Sequence, residues 1–155
     1  MKLFCDTEFT DFIDCELISI GIVDENGREF YAEVTDFARE RCSGFVVETV
    51  LPLLGQYPDG LVLNKYQTAH ALMQWLEPYR EGGATVCVDY QTDWDLFCDL
   101  LAGSSVMEFV TGLMIWPDLD QQRIEDWWAE TQFPRHMALY DARANRHGYD
   151  PENGY

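Results

Sequence analysis

The sequence predicts an α/β fold: a mixed sheet that begins as an antiparallel meander, continues with parallel strands and carries helices on both faces. Three observations predict it. Leu17–Val23 is an apolar, β-branched run, and the Asn26-Gly27 pair that follows is a strong hairpin signal because both residues tolerate positive φ. Past Gly60, strand-like apolar runs alternate with stretches whose apolar residues recur at helical spacing. The chain has 155 residues, 47% hydrophobic and 14% aromatic, enough for a core in a single domain, 1–155.

Taken in order, Lys2–Phe9 reads as the first strand, Asp11–Cys15 as a turn, and Leu17–Val23 and Arg28–Val34 as the two arms of the hairpin. Asp36 is placed to cap a short turn of helix. Phe45, Val46, Thr49, Val50 and Leu53 follow helical spacing, with Pro52 limiting or kinking that helix. Tyr57-Pro58-Asp59-Gly60 is a turn. A helix over about Thr68–Leu76 carries the apolar stripe Ala69, Leu72, Met73, Trp75 and Leu76, and Gly82-Gly83 stops it. Ala84–Tyr90 is a buried strand, Asp93–Leu101 a helix closed by Gly103, and Val106–Ile115 a strand interrupted at Gly112. Gln121–Gln132 is a helix broken by Pro134. The last helix covers about Met137–Arg146, and 148–155 read as a loose tail after Gly148.

Strand alternation gives the first chemical clue. Within Lys2–Phe9, Asp6 and Glu8 share a face with Phe4, while Leu3, Cys5, Thr7 and Phe9 take the other. Two carboxylates held close repel each other unless a cation sits between them, and hard oxygen ligands suit Mg2+ or Mn2+. The alternative is an ordinary solvated strand face. Parallel sheets gather ligands at the carboxyl ends of their strands, and Asp6, Glu8 and Asp89 or Asp93 all lie at or just past such ends. Ala138 and Ala142, four apart, let the last helix lie close to the sheet and bring Asp141 near the first strand.

The formal charge of −18 argues against an extended basic surface that grips phosphates, and against tight, processive binding to duplex DNA. It leaves room for a nucleic-acid enzyme, because bound divalent ions supply positive charge locally. Five cysteines with no Cys-x-x-Cys fit reduced thiols in a cytoplasmic protein. No apolar run is long enough for a bilayer and no signal-peptide pattern is present, so no membrane partner is expected.

Asp6-x-Glu8, an acidic residue after a middle strand, and His136-x4-Asp141 together resemble the DEDDh family of 3′–5′ exonucleases on the ribonuclease H-like fold. His136-x-Ala138-Leu139-x-Asp141-Ala142 and Asp6-Thr7-Glu8-Phe9-Thr10 carry the likeness, whose order and spacing cover nearly the whole chain. Phe45–Pro52 also resembles the small bacterial RNase AS-type exoribonucleases, which act on polyadenylate tails. The family shows Asn-x3-Asp at the middle motif, where this chain has Asp89 and Asp93. By that register Asp93 is the metal carboxylate, with Asp89 as its competitor or as a neighbouring hydrogen-bond acceptor.

The resemblance implies that Asp6, Glu8, Asp93 and Asp141 hold two divalent cations, Mg2+ or Mn2+, with His136 as general base. It implies release of nucleoside monophosphates from single-stranded RNA 3′ ends. Phe9, Thr7, Asp89 and Arg143 are the expected substrate-side residues, although Phe9 also suits a core position and Arg143, like Arg146, a solvated helix face. Trp127-Trp128 suits the core or a homodimer contact, and a homodimer is expected by family habit. The rival readings are a DNA 3′–5′ exonuclease and a non-catalytic acidic mimic of nucleic acid, the latter motivated by the charge.

Overall fold

The structure, a computed structural model, describes residues 1–152. A six-stranded sheet organises it, built from β1 (Lys2–Phe9), β2 (Leu17–Asp24), β3 (Glu29–Val34), β4 (Leu61–Leu63), β5 (Ala84–Val88) and β6 (Val110–Met114) in the spatial order β4-β3-β2-β1-β5-β6. β1, β2 and β3 pair antiparallel, whereas β4 joins β3, β5 joins β1 and β6 joins β5 in parallel. The β2–β3 turn is tight because Gly27 takes φ 91° and the buried Asp24 carboxylate accepts the N–H groups of Asn26 and Arg28 at 2.8 Å each.

Among the described residues, five α-helices connect and cover the strands: α1 (Gly44–Thr49), α2 (Lys65–Leu76), α3 (Gln91–Leu100), α4 (Gln121–Thr131) and α5 (Ala138–Gly148). Side-chain alternation along the central strands splits the core. Leu3, Cys5, Ile20 and Ile22 face α2 and α3 through Leu72, Leu76, Leu96 and Phe97. Phe4, Val23 and Cys87 face α4 and α5 through Ile124, Trp128, Ala142 and Ala144. The α/β class, the antiparallel-then-parallel sheet and the helices on both faces are therefore as expected, an architecture consistent with a ribonuclease H-like fold.

Several local expectations are corrected. β4 has only three residues, too few for alternation to register in the sequence. Asp36 does not cap the turn that follows it; its Oδ1 accepts the N–H of Lys65 at 2.8 Å and so secures the start of α2. That helix begins ahead of Thr68 because Asn64 and Gln67 form a reciprocal capping box. The stretch expected as one strand from Val106 opens with a 3-10 turn, Ser105–Glu108, before β6. Gly112 does not interrupt β6: a Cβ there would lie 2.7 Å from the Trp94 ring, so the glycine makes room for the indole.

In the expected tail, Tyr149 bridges to Leu119 and the Asp150 N–H donates to the Asp118 carbonyl at 2.8 Å. The remainder of that expected tail, 153–155, lies outside the described residues. Among the described residues no helix is long and apolar enough to cross a membrane.

Candidate active site

β1 lies between β2 and β5, and its carboxyl end is the floor of the site. Asp6 and Glu8 project to the α5 side and Thr7 to the α3 side. The parallel neighbour β5 ends at Val88 and delivers Asp89; α3 starts two residues on and carries Asp93 in its first turn. From the other face α5 supplies Asp141. The cross-strand partner of Asp6 is Gly21 of β2, and a Cβ at Gly21 would run into the backbone of Ala138 and Leu139. The bare backbone at Gly21, with Ala138 and Ala142 fully buried, sets how closely α5 approaches the sheet.

The result is two acidic groups that share one member. Asp6, Glu8 and Asp141 can each offer one oxygen such that all lie within 4.8 Å of one another, and so can Asp6, Asp89 and Asp93. Asp89 and Asp93, competitors in the sequence, thus fall into the same group. A cleft of about 320 Å³ opens over them, walled by Phe9, Phe12, Tyr90 and His136, and among the described residues no lysine or arginine lines it.

Burial disturbs every one of these acids, and repulsion from neighbouring carboxylates adds to it at Asp6, Glu8, Asp93 and Asp141. Asp6 sits well above the ordinary carboxylate range, chiefly through burial and then through the negative charges of Asp93, Asp141 and Glu8. Burial pushes Glu8 up to about 8, with Asp141 and Asp93 adding repulsion. Asp141 is pushed up to about 7 by burial and by Asp89, against the pull of the backbone N–H groups of His136 and Met137. Burial also lifts Asp93 to about 7, although the Thr7 hydroxyl acts the other way. Asp89 is raised by burial and partly restored by its own N–H and the Asn145 side chain.

These residues fit divalent cations. Asp141 Oδ2 and Asp89 Oδ1 are buried without a hydrogen-bond partner, and a buried carboxylate oxygen without one needs a cation or a proton. All five donors are carboxylates, the set that suits Mg2+ or Mn2+.

The remaining expected residues divide. His136 lines the cleft, half-buried just ahead of α5, with its backbone in the left-handed region at φ 65°. Its ring packs edge-on against Phe45 at 5.0 Å, and burial and the Arg135 charge lower its pKa below the ordinary value. Thr7 acts on Asp93: its N–H and hydroxyl both donate to Asp93 Oδ1, at 3.0 and 2.6 Å. Phe9 is half-buried and begins an aromatic run through Phe12 at 5.3 Å and on to Tyr90 at 6.0 Å. Arg143 is not brought to the cleft. Two positions beyond Asp141, it points away on α5 and makes a bidentate pair with Glu29 at 2.6 and 2.8 Å. Trp128 is core, and Trp127 packs on it with ring centroids 4.8 Å apart.

Sequence reasoning missed Gly21, Phe12, Tyr90 and Asn145, and gave Phe45 no place at the site although it opens the Phe45–Pro52 resemblance. Asn145 also carried a usable signal, since it lies four residues after Asp141 and so on the same helix face.

No family model matches the chain. A 77-residue stretch is 53% identical to a 3′-5′ exoribonuclease of Mycobacterium tuberculosis strain H37Rv, and the same figures hold for the 3′-5′ exoribonuclease of strain CDC 1551 / Oshkosh. The match takes in 49% of this chain and 46% of each relative, so the chain spans about half the length of the curated relatives it matches.

Proposed function

We propose that the chain is a metal-dependent 3′–5′ exoribonuclease of the DEDDh type, acting on single-stranded RNA 3′ ends and releasing nucleoside monophosphates. The observation that carries the reading is the sharing of Asp6 between two acidic groups beside a histidine. Such a carboxylate is placed to serve two cations at once. The 53% identity with proteins named 3′-5′ exoribonuclease favours RNA over DNA.

Asp6, Glu8 and Asp141 would hold one divalent ion, and Asp6 with Asp93 and Asp89 the other. Bound there, the ions would supply the positive charge that offsets the phosphodiester and lowers the pKa of the attacking water. His136 takes the proton of that water. Its lowered pKa keeps the imidazole neutral near pH 7, the form a base needs. The water oxygen bonds to phosphorus, the bond from phosphorus to the 3′ oxygen of the shortened chain breaks, and that oxygen takes up a proton as it leaves. Phe9, with Phe12 and Tyr90 behind it, offers aromatic surface for the terminal base. Thr7 holds Asp93 in place.

The test is incubation with 3′-labelled RNA and DNA oligomers in Mn2+, with and without chelator. Mononucleotide release from RNA, abolished by chelator, is the expected result. Equal release from DNA would shift the substrate class, and no release from either polymer would end the proposal.

A further inference from the structure

A second cavity, of about 460 Å³, lies between α4, α5 and the β2–β3 turn, and it shares no lining residue with the acidic cleft. Arg123 and Trp127 of α4 line it with Arg143, Arg146 and His147 of α5, besides Gly27 and Glu29. The chain has ten lysines and arginines and three histidines at a net charge of −18. Three of those ten and one of those three wall this single cavity. The spacing is helical: positions 123 and 127 are one turn apart, and 143, 146 and 147 share a face.

The local balance of charge is positive. Arg143 is neutralised by Glu29, and Arg123 meets Asp150 at 3.4 Å. Arg146 and His147 make no ion pair among the described residues. One Arg146 nitrogen donates to the Glu25 carbonyl at 2.8 Å, which anchors the guanidinium while leaving most of its N–H groups facing outward. Trp127 is half-buried, and its ring is braced by Trp128 and Phe133. Guanidinium groups beside an aromatic wall, in a cavity of ligand size, form a pairing that suits a phosphate ester carried next to a flat ring.

We propose that this cavity binds a nucleotide, its phosphate on Arg123 and Arg146 with His147 alongside and its base against Trp127. Two sources share that chemistry: an internal nucleotide of an RNA chain whose 3′ end lies in the cleft, or a free mononucleotide. The proposal rests on the exoribonuclease reading only for the first source. Among the described residues no lysine or arginine lines the acidic cleft, and Arg135 at its rim is tied to Glu125, so a cationic foothold elsewhere would supply the missing grip on the phosphate backbone.

The test is calorimetric titration in chelator, which removes any metal-dependent contribution of the cleft. The probes are inorganic phosphate, adenosine 5′-monophosphate and a twelve-nucleotide RNA, with tryptophan fluorescence as a second readout. The monophosphate or the RNA should bind and quench fluorescence. R123A/R146A should weaken that binding at least tenfold, and W127F should remove the quenching. R146Q, which keeps the side-chain length, serves if the double variant does not fold. Binding of the monophosphate assigns the free nucleotide as ligand, and binding of the oligomer alone assigns the RNA chain. The proposal is overturned if neither nucleotide probe binds, if the monophosphate binds no tighter than inorganic phosphate and the oligomer does not bind, or if the arginine substitutions leave binding unchanged. Failure here would leave mononucleotide release intact, and failure of the nuclease assay would leave this titration unaffected.

Discussion

Replacing Gly21 with alanine tests how the site is assembled. The added Cβ would overlap the backbone of Ala138 and Leu139, which no rotamer change can relieve. Restoring ordinary carbon contacts of about 3.5–4.0 Å requires the start of α5 to move by more than about 1 Å. Overpacking of this kind costs about 1–3 kcal/mol, or about 3–10 °C in Tm for a chain of this size. Asp141 rides on the first turn of α5 and His136 just precedes it. A displacement of about 1 Å at reacting groups costs on the order of 10²-fold in rate. The assay is a thermal melt paired with single-turnover release from 3′-labelled RNA in Mn2+. Gly44→Ala is the control, because a Cβ there meets nothing within 4 Å. If G21A lowers Tm but leaves rate and metal affinity as in the parent, the close approach at Gly21 is not what brings Asp141 to Asp6. If G21A changes neither, the overlap itself is wrong.

Other substitutions and conditions probe single roles. His136→Ala should leave metal affinity nearly intact and cut turnover by about 10²–10⁴-fold; unchanged turnover in a pre-steady-state assay removes His136 from the chemistry. Thr7→Val removes the hydroxyl that donates to Asp93 Oδ1 at 2.6 Å. It should weaken divalent-ion affinity by about 10–100-fold, read by calorimetry, and unaltered affinity would make that hydrogen bond irrelevant to metal binding. In metal-free protein, stability should fall as pH rises. Asp93 and Asp141 titrate near 7 and Glu8 near 8 when folded, against 3.8 and 4.5 as ordinary values. Between those limits the native state holds more protons than the unfolded chain, so unfolding free energy drops from about pH 4 to pH 8. Saturating Mn2+ should flatten the profile, and a metal-free protein as stable at pH 8 as at pH 5 would contradict the buried cluster.

Much of the fold was legible because it is local. The β2–β3 hairpin announces itself in Asn26-Gly27, and α4 ends as expected, with Gln132 in the left-handed conformation ahead of Pro134. What escaped depends on contacts between distant segments. Gly112 reads as a strand breaker until the Trp94 ring is seen lying against it. Asp36 reads as a local cap until Lys65, far along the chain, presents its N–H. The acids of the cleft were all named beforehand. The sequence could not say that Asp89 and Asp93 stand together, since strand and helix spacing alone leaves their side chains free to diverge. Arg143 was expected at the substrate, yet a helix turns about 200° between Asp141 and Arg143, and Glu29 waits on the other side.

The acidity of the chain and the cation dependence proposed for this site belong to one physical arrangement. Five carboxylates converge where burial penalises each of them and repulsion adds to it at four, and the cationic side chain at the rim, Arg135, is tied to Glu125 at 2.6 Å. Among the described residues Arg135 offsets part of the charge at Asp141 while tied to Glu125, so a proton or a divalent ion must neutralise the rest. Once pH rises past the range in which these acids hold their protons, a phosphodiester approaching the metal-free cleft meets net negative charge at short range, where screening by salt is weakest. Occupied by two divalent ions, the same cleft would be drawn close to neutrality and would accept the phosphate. The carboxylates would then do more than position metal: they make phosphate binding conditional on it. On the proposed reading, the packing that forces the acids together, Gly21 beneath α5 and Thr7 against Asp93, is where stability is given up for a cleft that would become receptive only when loaded.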